Sequence, residues 1–485
     1  MSSISSLASS NVPAQPSSFS ISVHSPCKDF LSNMLDSPAG NGLGSLQELN
    51  IVHLYMSDDY ERLAGVLTQA PNLRALTVLE LEEHLEEKGM PLADAIANLR
   101  DLRSLKLHCI GENGFELCRR LACRPDLVSL VGQITISMEE LQGTMDHFAV
   151  DRTALLGLPV FQRASVVVLD GFSFLPGDGS EPPSLRAPTD PWLDTHTLAL
   201  TNMDPLAVAA MCPNLARLHL GYFCPEDDYF ESFVHDREYP YSTDALGREL
   251  GIQLRVLDIY VDNEESMPPR AVPVTMRATR PVVLSVRMPA EATALWEELA
   301  CTLQDADSRT RYLDVLLLRG DQPMTYSTEI NGHPIGPPRT SPQQWLEKCL
   351  PLLGSCGLLC LRLCLCGRMM LGRIAPAEYS EAAARGADPL DGSGWEGIRE
   401  AAPQMIARAL PALRYVAVAS GYMVKDPVGS GGAVFAGETR WWGVTAGDAP
   451  QLAEMDEGEG ARMDDYLRSE AFAETLHFPP SESDE

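Results

Sequence analysis

One short phrase, L-x-x-L-x-[apolar], returns along this chain and restricts what it can fold into more than any other feature. Its clearest copies are "PNLRALTV" at 71–78, "RDLRSLKL" at 100–107, "PNLARLHL" at 213–220, "IQLRVLDI" at 252–259 and "PALRYVAV" at 411–418. Weaker copies are "SLQELNI" at 45–51, "PDLVSL" at 125–130, "RYLDVLLL" at 311–318 and "GLLCLRL" at 357–363. The leading leucines Leu46, Leu73, Leu102 and Leu127 stand 27, 29 and 25 residues apart. That spacing belongs to stacked strand–helix repeats. Later intervals lengthen to 39, 45 and 55 residues, so the array carries long insertions.

The letters follow from strand geometry. Side chains alternate along an extended strand, so positions four and six of the phrase share a face. Leu105 and Leu107 are expected to face inward, Ser104, Lys106 and His108 outward, with Leu102 entering the core from the preceding turn. A single strand cannot hide such a row, so the repeats must stack. Between them, "DYERLAGVLTQAPNL" places Leu63, Val66 and Leu67 on one helical face, and "PLADAIANLRDL" does the same with Leu92, Ile96 and Leu99. The expected fold class is α/β: an irregular leucine-rich-repeat solenoid, with a curved parallel sheet on the concave side and helices on the convex side.

The segment "CGLLCLRLCLCGRMM" at 356–370 raises the question of a metal site, because four of the twelve cysteines fall within it. Aligned to the phrase, it is a strand with Leu358, Leu361 and Leu363 inward and Cys360, Arg362 and Cys364 on the other face. Four strand residues span roughly 13 Å. Two thiolates on one zinc must lie within about 4 Å of each other. No metal site is expected. The cysteines are scattered and no secretion signal precedes them, which implies reduced thiols acting mostly as small hydrophobes.

The formal net charge of −30 makes nucleic acid and membrane surfaces poor partners. No apolar run reaches the roughly 18 residues of a membrane span, so the expected location is cytoplasmic or nuclear. Three regions follow: a Ser/Pro-rich disordered segment at 1–44, a solenoid with long loop insertions at 45–445, and an acidic, disordered tail at 446–485.

Motifs for chemistry are not found. "GSGWEG" at 392–397 has the letters of a dinucleotide fingerprint but no preceding buried strand, and "GSGGAVFAG" at 429–437 lacks the Lys-Ser/Thr pair of a phosphate loop. No catalytic residue and no cofactor are assigned. "RWWGV" at 440–444 suits a cap over the end of the array, with at most one indole facing the core; the other reading leaves one indole exposed for a partner.

The segments "PNLRALTV", "PNLARLHL", "LRVLDIY" and the closing "MIARALPALRYVAVASG…RWWGV" resemble the irregular leucine-rich-repeat proteins of higher fungi labelled F-box or F-box-like. The resemblance covers roughly 45–445. It implies a substrate-recognition subunit of a ubiquitin ligase, but residues 1–44 show no F-box, which leaves an SKP1-like adaptor without its docking module.

The functional expectation is a non-enzymatic, monomeric scaffold that binds a protein or peptide on the concave sheet. The outward row runs through Glu48, Asn50, Ala75, Thr77, Ser104, Val256, Val315, Leu317, Cys360 and Ala417. Its candidate partner-binding residues are Lys106, Arg217, His219, Asp258, Tyr260, Arg319, Arg362 and Tyr415. The alternative is a hydrolase or transferase whose site is built from loops at 171–190, 221–250, 320–345 or 420–440.

Overall fold

A computed structural model describes residues 17–21, 41–44, 46–51, 57–79, 81, 85, 90–124, 131–138, 157–170, 191–201, 205–222, 252–261, 271–289, 292–318, 342–369, 395–425, 433–445, 447 and 449–478. The chain forms two compact units, one of residues 1–203 and 207–214, the other of 204–206 and 215–485.

The first unit contains strands β1 (Ser17–Ile21), β2 (Leu46–Ile51), β3 (Ala75–Val78), β4 (Ser104–Ile110), β5 (Gln133–Met138), β6 (Val166–Asp170) and β7 (Thr197–Thr201). They pair in parallel, each with the next in sequence. Helices α1 (Ser57–Thr68), α2 (Met90–Ala97), α3 (Glu112–Ala122) and α4 (Pro159–Arg163) lie between strands in the chain. Leu63, Val66 and Leu67 on α1, with Leu92 and Ile96 on α2, are buried as the helical spacing requires. Phe161 stacks on Trp192 at 5.4 Å.

The second unit contains β8 (Arg217–Tyr222), β9 (Val256–Val261), β10 (Val283–Pro289), β11 (Tyr312–Leu318), β12 (Cys360–Met369) and β13 (Tyr415–Lys425) as a parallel run. Strands β14 (Ala433–Thr445) and β15 (Gln451–Glu454) then add antiparallel. Helices α5 (Ala271–Thr279), α6 (Thr293–Leu303), α7 (Pro342–Lys348) and α8 (Trp395–Ala409) separate the parallel strands in sequence. Trp296 of α6 and Trp345 of α7 meet edge to face at 5.2 Å. Each unit is thus mixed α/β, with a mostly parallel, unclosed sheet whose spatial order follows the sequence, as a solenoid requires.

Register explains the phrase. Leu76 pairs with Leu105, which pairs in turn with Ile134, and Val78 pairs with Leu107, all buried. Two repeats replace the leading leucine by threonine. Buried Thr195 and Thr310 donate their hydroxyls at 2.8 and 2.9 Å to the carbonyls of Ala164 and Pro281, the equivalent residues one repeat earlier. A buried polar group is tolerated there because it is bonded.

Several expectations are corrected. In "RYLDVLLL", Val315 and Leu317 pair with Leu363 and Leu365 and face the core, so the outward residues are Tyr312 and Asp314. The alignment slipped because Thr310, not Leu313, holds the leading position. The copy at 125–130 lies outside the described residues, and β5 takes the place expected of it. Ser17–Ile21, assigned to a disordered segment, pairs in parallel with β2.

Through residue 478 the acidic tail is not a loose extension. It forms β15 and two helices, α9 (Glu457–Leu467) and α10 (Glu470–Thr475), with Leu467 and Phe472 wholly buried. Asp456 caps α9 by accepting from Glu459 N at 2.8 Å, and Ser469 caps α10 by accepting from Phe472 N at 3.4 Å. Carboxylates in the first turns add a favourable interaction with the helix dipole. Among the described residues, no helix is long and apolar enough to cross a membrane.

Candidate functional site

Register assembles two transverse rows on one face of the second unit's strands. One row joins Arg217, Val256, Val283, Tyr312, Cys360 and Tyr415. The next joins His219, Asp258, Ser285, Asp314, Arg362 and Ala417. The first is mainly apolar and the second mainly polar. The tail helices pack on this face: Leu467 and Phe472 cluster with Val283, Tyr312 and Cys360, and Phe478 meets the Tyr415 ring at 4.9 Å.

Charges fix how the tail sits. Arg362 grips Asp314 in a fork, Nε to Oδ1 at 2.8 Å and Nη2 to Oδ2 at 2.5 Å. Arg468 of the tail reaches the same Oδ2 at 2.6 Å. Asp464, one helical turn earlier, accepts from Tyr312 Oη at 2.5 Å and from Arg468 Nε at 3.2 Å, with Arg362 Nη1 3.7 Å away. Two acids and two bases therefore form a neutral, largely buried ring, with the Arg468 guanidinium 5.1 Å above the Tyr312 ring centre.

Burial by itself would push the Asp314 carboxyl up, but the Arg362 and Arg468 guanidiniums outweigh it and hold the group at about 2. Burial also raises Tyr312 well above the usual phenol. Asp258 sits in a second, smaller cluster. Its Oδ2 lies 3.1 Å from Arg217 Nε and 2.8 Å from His219 Nδ1. Burial opposes its ionisation, yet His219, Arg217 and a hydrogen bond from Ser285 hold it well below the ordinary carboxylate range.

The candidate residues therefore divide. Arg362 and Tyr415 do face away from the core, but the chain's own tail covers them, which corrects their assignment as open partner contacts. Arg217, His219 and Asp258 are brought together, with Asp258 buried beneath the other two. Tyr260 is buried, which corrects its reading as a surface contact. Lys106 is part-exposed on β4 of the first unit, between Thr77 and Thr135 in register. Arg319 lies outside the described residues. So do 171–190, 223–250 and 320–341, most of the loops in which an enzyme site was sought.

Both tryptophans of "RWWGV" are buried, against the expectation that at most one faces a core. Trp441 lies under Gly460 of α9. Trp442 shares its face with Arg440, whose guanidinium stands 5.2 Å from the indole and bonds Glu400 of α8 at 3.0 Å. At these two positions β14 is covered on both sides, which removes the exposed-indole reading.

Sequence reasoning missed Tyr312, Ser285, Asp314, Asp464 and Arg468. A usable signal existed: Asp314 is the lone charge of β11, and Arg362 is the lone charge in the apolar run Cys360–Cys366 of the next strand. Among the described residues, the buried thiols offer little chemistry. Burial pushes Cys364 to about 12 and Cys360 well above its usual value, and Cys118 and Cys212 also reach about 12. Among the described residues, no group of three or more His, Cys, Asp or Glu side chains could hold a metal ion.

The ring makes stability depend on pH. Asp314 titrates near 2 in the fold and at 3.8 in an ordinary chain, so its contribution is complete above 3.8 and is lost as pH falls through about 2. The difference corresponds to about 2 kcal/mol. Urea unfolding should show Asp314→Asn less stable at pH 6 but losing less than wild type between pH 5 and 2; parallel losses would contradict the assignment.

No family model matches the chain, and no curated protein matches it.

Proposed function

We propose that the chain is a non-enzymatic interaction scaffold of the leucine-rich-repeat type, holding a protein or peptide partner on the concave, outward face of its strands. The observation that carries this reading is the tail itself. On β10–β13 that face holds a helical segment by two buried apolar anchors and a closed ring of charges. Recognition surfaces are commonly built so, with a few buried anchors and oriented charges inside a half-exposed rim. Strands that repeat one register present further rows of the same kind, including the part-exposed row of Lys106.

A role as a substrate-recognition subunit related to F-box receptors, in cytosol or nucleus, goes with the fungal resemblance.

Photo-crosslinking tests the scaffold. A benzoylphenylalanine at position 106 should give a discrete partner adduct in cells, which a neighbouring Thr77→Glu change weakens at least about tenfold, as loss of one anchor does. The same probe at Glu116, on the helix side, should give none. Adducts only from position 116 would refute the strand-face reading. An SKP1-like adaptor among the adducts would support the ligase role.

A further inference from the structure

We propose that the face over β10–β13 is a receptor for a short acidic, amphipathic helix–turn element, and that residues 456–478 are an internal occupant which a partner protein carrying the same element displaces. This deepens the scaffold reading and rests on it for the existence of a partner; the receptor itself is tested separately.

The occupant's chemistry is on the page. Asp464 meets Tyr312 and Arg362, Arg468 meets Asp314, and Leu467 and Phe472 fill the apolar row. A partner must therefore offer an acid and an arginine one helical turn apart, a leucine beside the arginine and an aromatic four residues on, in the order Asp-x-x-Leu-Arg-x-x-x-Phe. The free face would present Asp314 and Arg362 side by side, so a helix in the reverse direction would place acid against acid and base against base.

Two features make the occupant exchangeable rather than only a lid on the core. Its helices carry their own caps, Asp456 and Ser469, and a left-handed C-terminal residue, Leu476 at φ 56°, so the element is locally complete. Its grip is also partly ionic: the charge ring works beside the apolar anchors Leu467 and Phe472. A buried ion-pair ring adds little net stability over apolar packing, but it fixes orientation and partner choice. Around Leu467 and Phe472 the contacts are part-exposed: Met463, Tyr466, Leu476 and Phe478 all keep some access to water.

Tethering gives the internal element an effective concentration on the order of millimolar. A free element binding the open face at about 1 μM would then compete roughly a thousandfold less well. Wild type should take up a fluorescent peptide of residues 456–478 only weakly, and full-length Asp464→Ala/Phe472→Ala should bind it at least about thirtyfold more tightly. A peptide carrying Arg468→Glu should not bind.

As a second route, a protease site placed at 446–449, between β14 and β15 in sequence, allows the folded wild-type chain to be nicked, and exchange of its tail for labelled peptide 450–478 to be followed. Saturable, Arg468-dependent uptake in either format supports the receptor. No uptake by a variant that keeps its hydrogen-exchange pattern elsewhere, together with no exchange in the nicked chain, would overturn it. A wild-type chain that refuses peptide but dimerises by exchanging its tails would overturn it in favour of a second copy as occupant. These outcomes leave the crosslinking at position 106 untouched, so failure of the receptor and failure of the scaffold are distinguishable.

Discussion

Gly460→Leu is expected to lift α9 and α10 off the strand face and to cut the second unit's stability by about 3 kcal/mol, the upper end for overpacking a close contact. A Cβ at this position would stand 2.3 Å from Trp441 Cδ1 and 2.5 Å from Cγ, inside a buried indole that has no free direction in which to move. Two effects compete at such a glycine. Replacing it stabilises an isolated helix by about 1 kcal/mol, but the clash acts only when the helix is docked, and it is the larger. Gly458, two residues earlier, supplies the contrast: its Cβ would meet nothing closer than Asp456 Oδ1 at 3.4 Å. Gly458→Ala should leave the tail in place and gain a few tenths of a kcal/mol or more. Limited proteolysis reads the difference directly. If Gly460→Leu leaves residues 457–475 as protected as wild type, the close packing of helix on indole is wrong.

Asp314→Ala should destabilise the same unit by about 3–5 kcal/mol, the range for removing one partner of a buried ionic group. The cost comes from what is left behind. Arg362 and Arg468 both lose their main counter-charge, and Asp464 alone must serve two guanidiniums whose side chains are 21% and 18% exposed. An exposed pair gives the scale for comparison. Arg163 and Asp194 are 67% and 49% exposed at 3.4 Å, so Asp194→Ala should cost less than about 1 kcal/mol. Replacing all four ring members by apolar residues of similar volume should restore most of the stability while abolishing orientation-specific uptake of the peptide. Urea unfolding measures each variant. A loss below about 1 kcal/mol for Asp314→Ala would mean that the ring is solvated and does not hold the tail.

The strand half of the fold was legible because it is periodic. Leucines recurring in one short phrase, many of them preceded by an apolar helical face, leave little choice but a stack, and Leu105, Leu107, Leu361 and Leu363 face the core as their positions require. The phrase failed where another residue solved the same packing problem. Thr310 replaces the leading leucine by bonding its hydroxyl to Pro281, so counting from Leu313 put Val315 and Leu317 on the wrong side.

The tail failed for a different reason. Its charge density reads as solvation, and the few apolar residues that matter, Met463, Tyr466, Leu467 and Phe472, are diluted among carboxylates. The capping pattern of Asp456 with Glu459 three residues on was a helix start in plain letters. What no single stretch could carry is the pairing of Arg468 with Asp314, 154 residues apart. Arg362 was read correctly as pointing away from the core, yet direction is a local property and coverage is not.

The distance along the chain between Tyr312 and Asp464, 152 residues, also has a meaning during biosynthesis. At roughly 5–20 residues per second the strand emerges some 8–30 s before the segment that shields it. For that interval the nascent polypeptide carries a sticky, half-built surface at the ribosome, and a chaperone or a neighbouring polypeptide has the first opportunity to meet it.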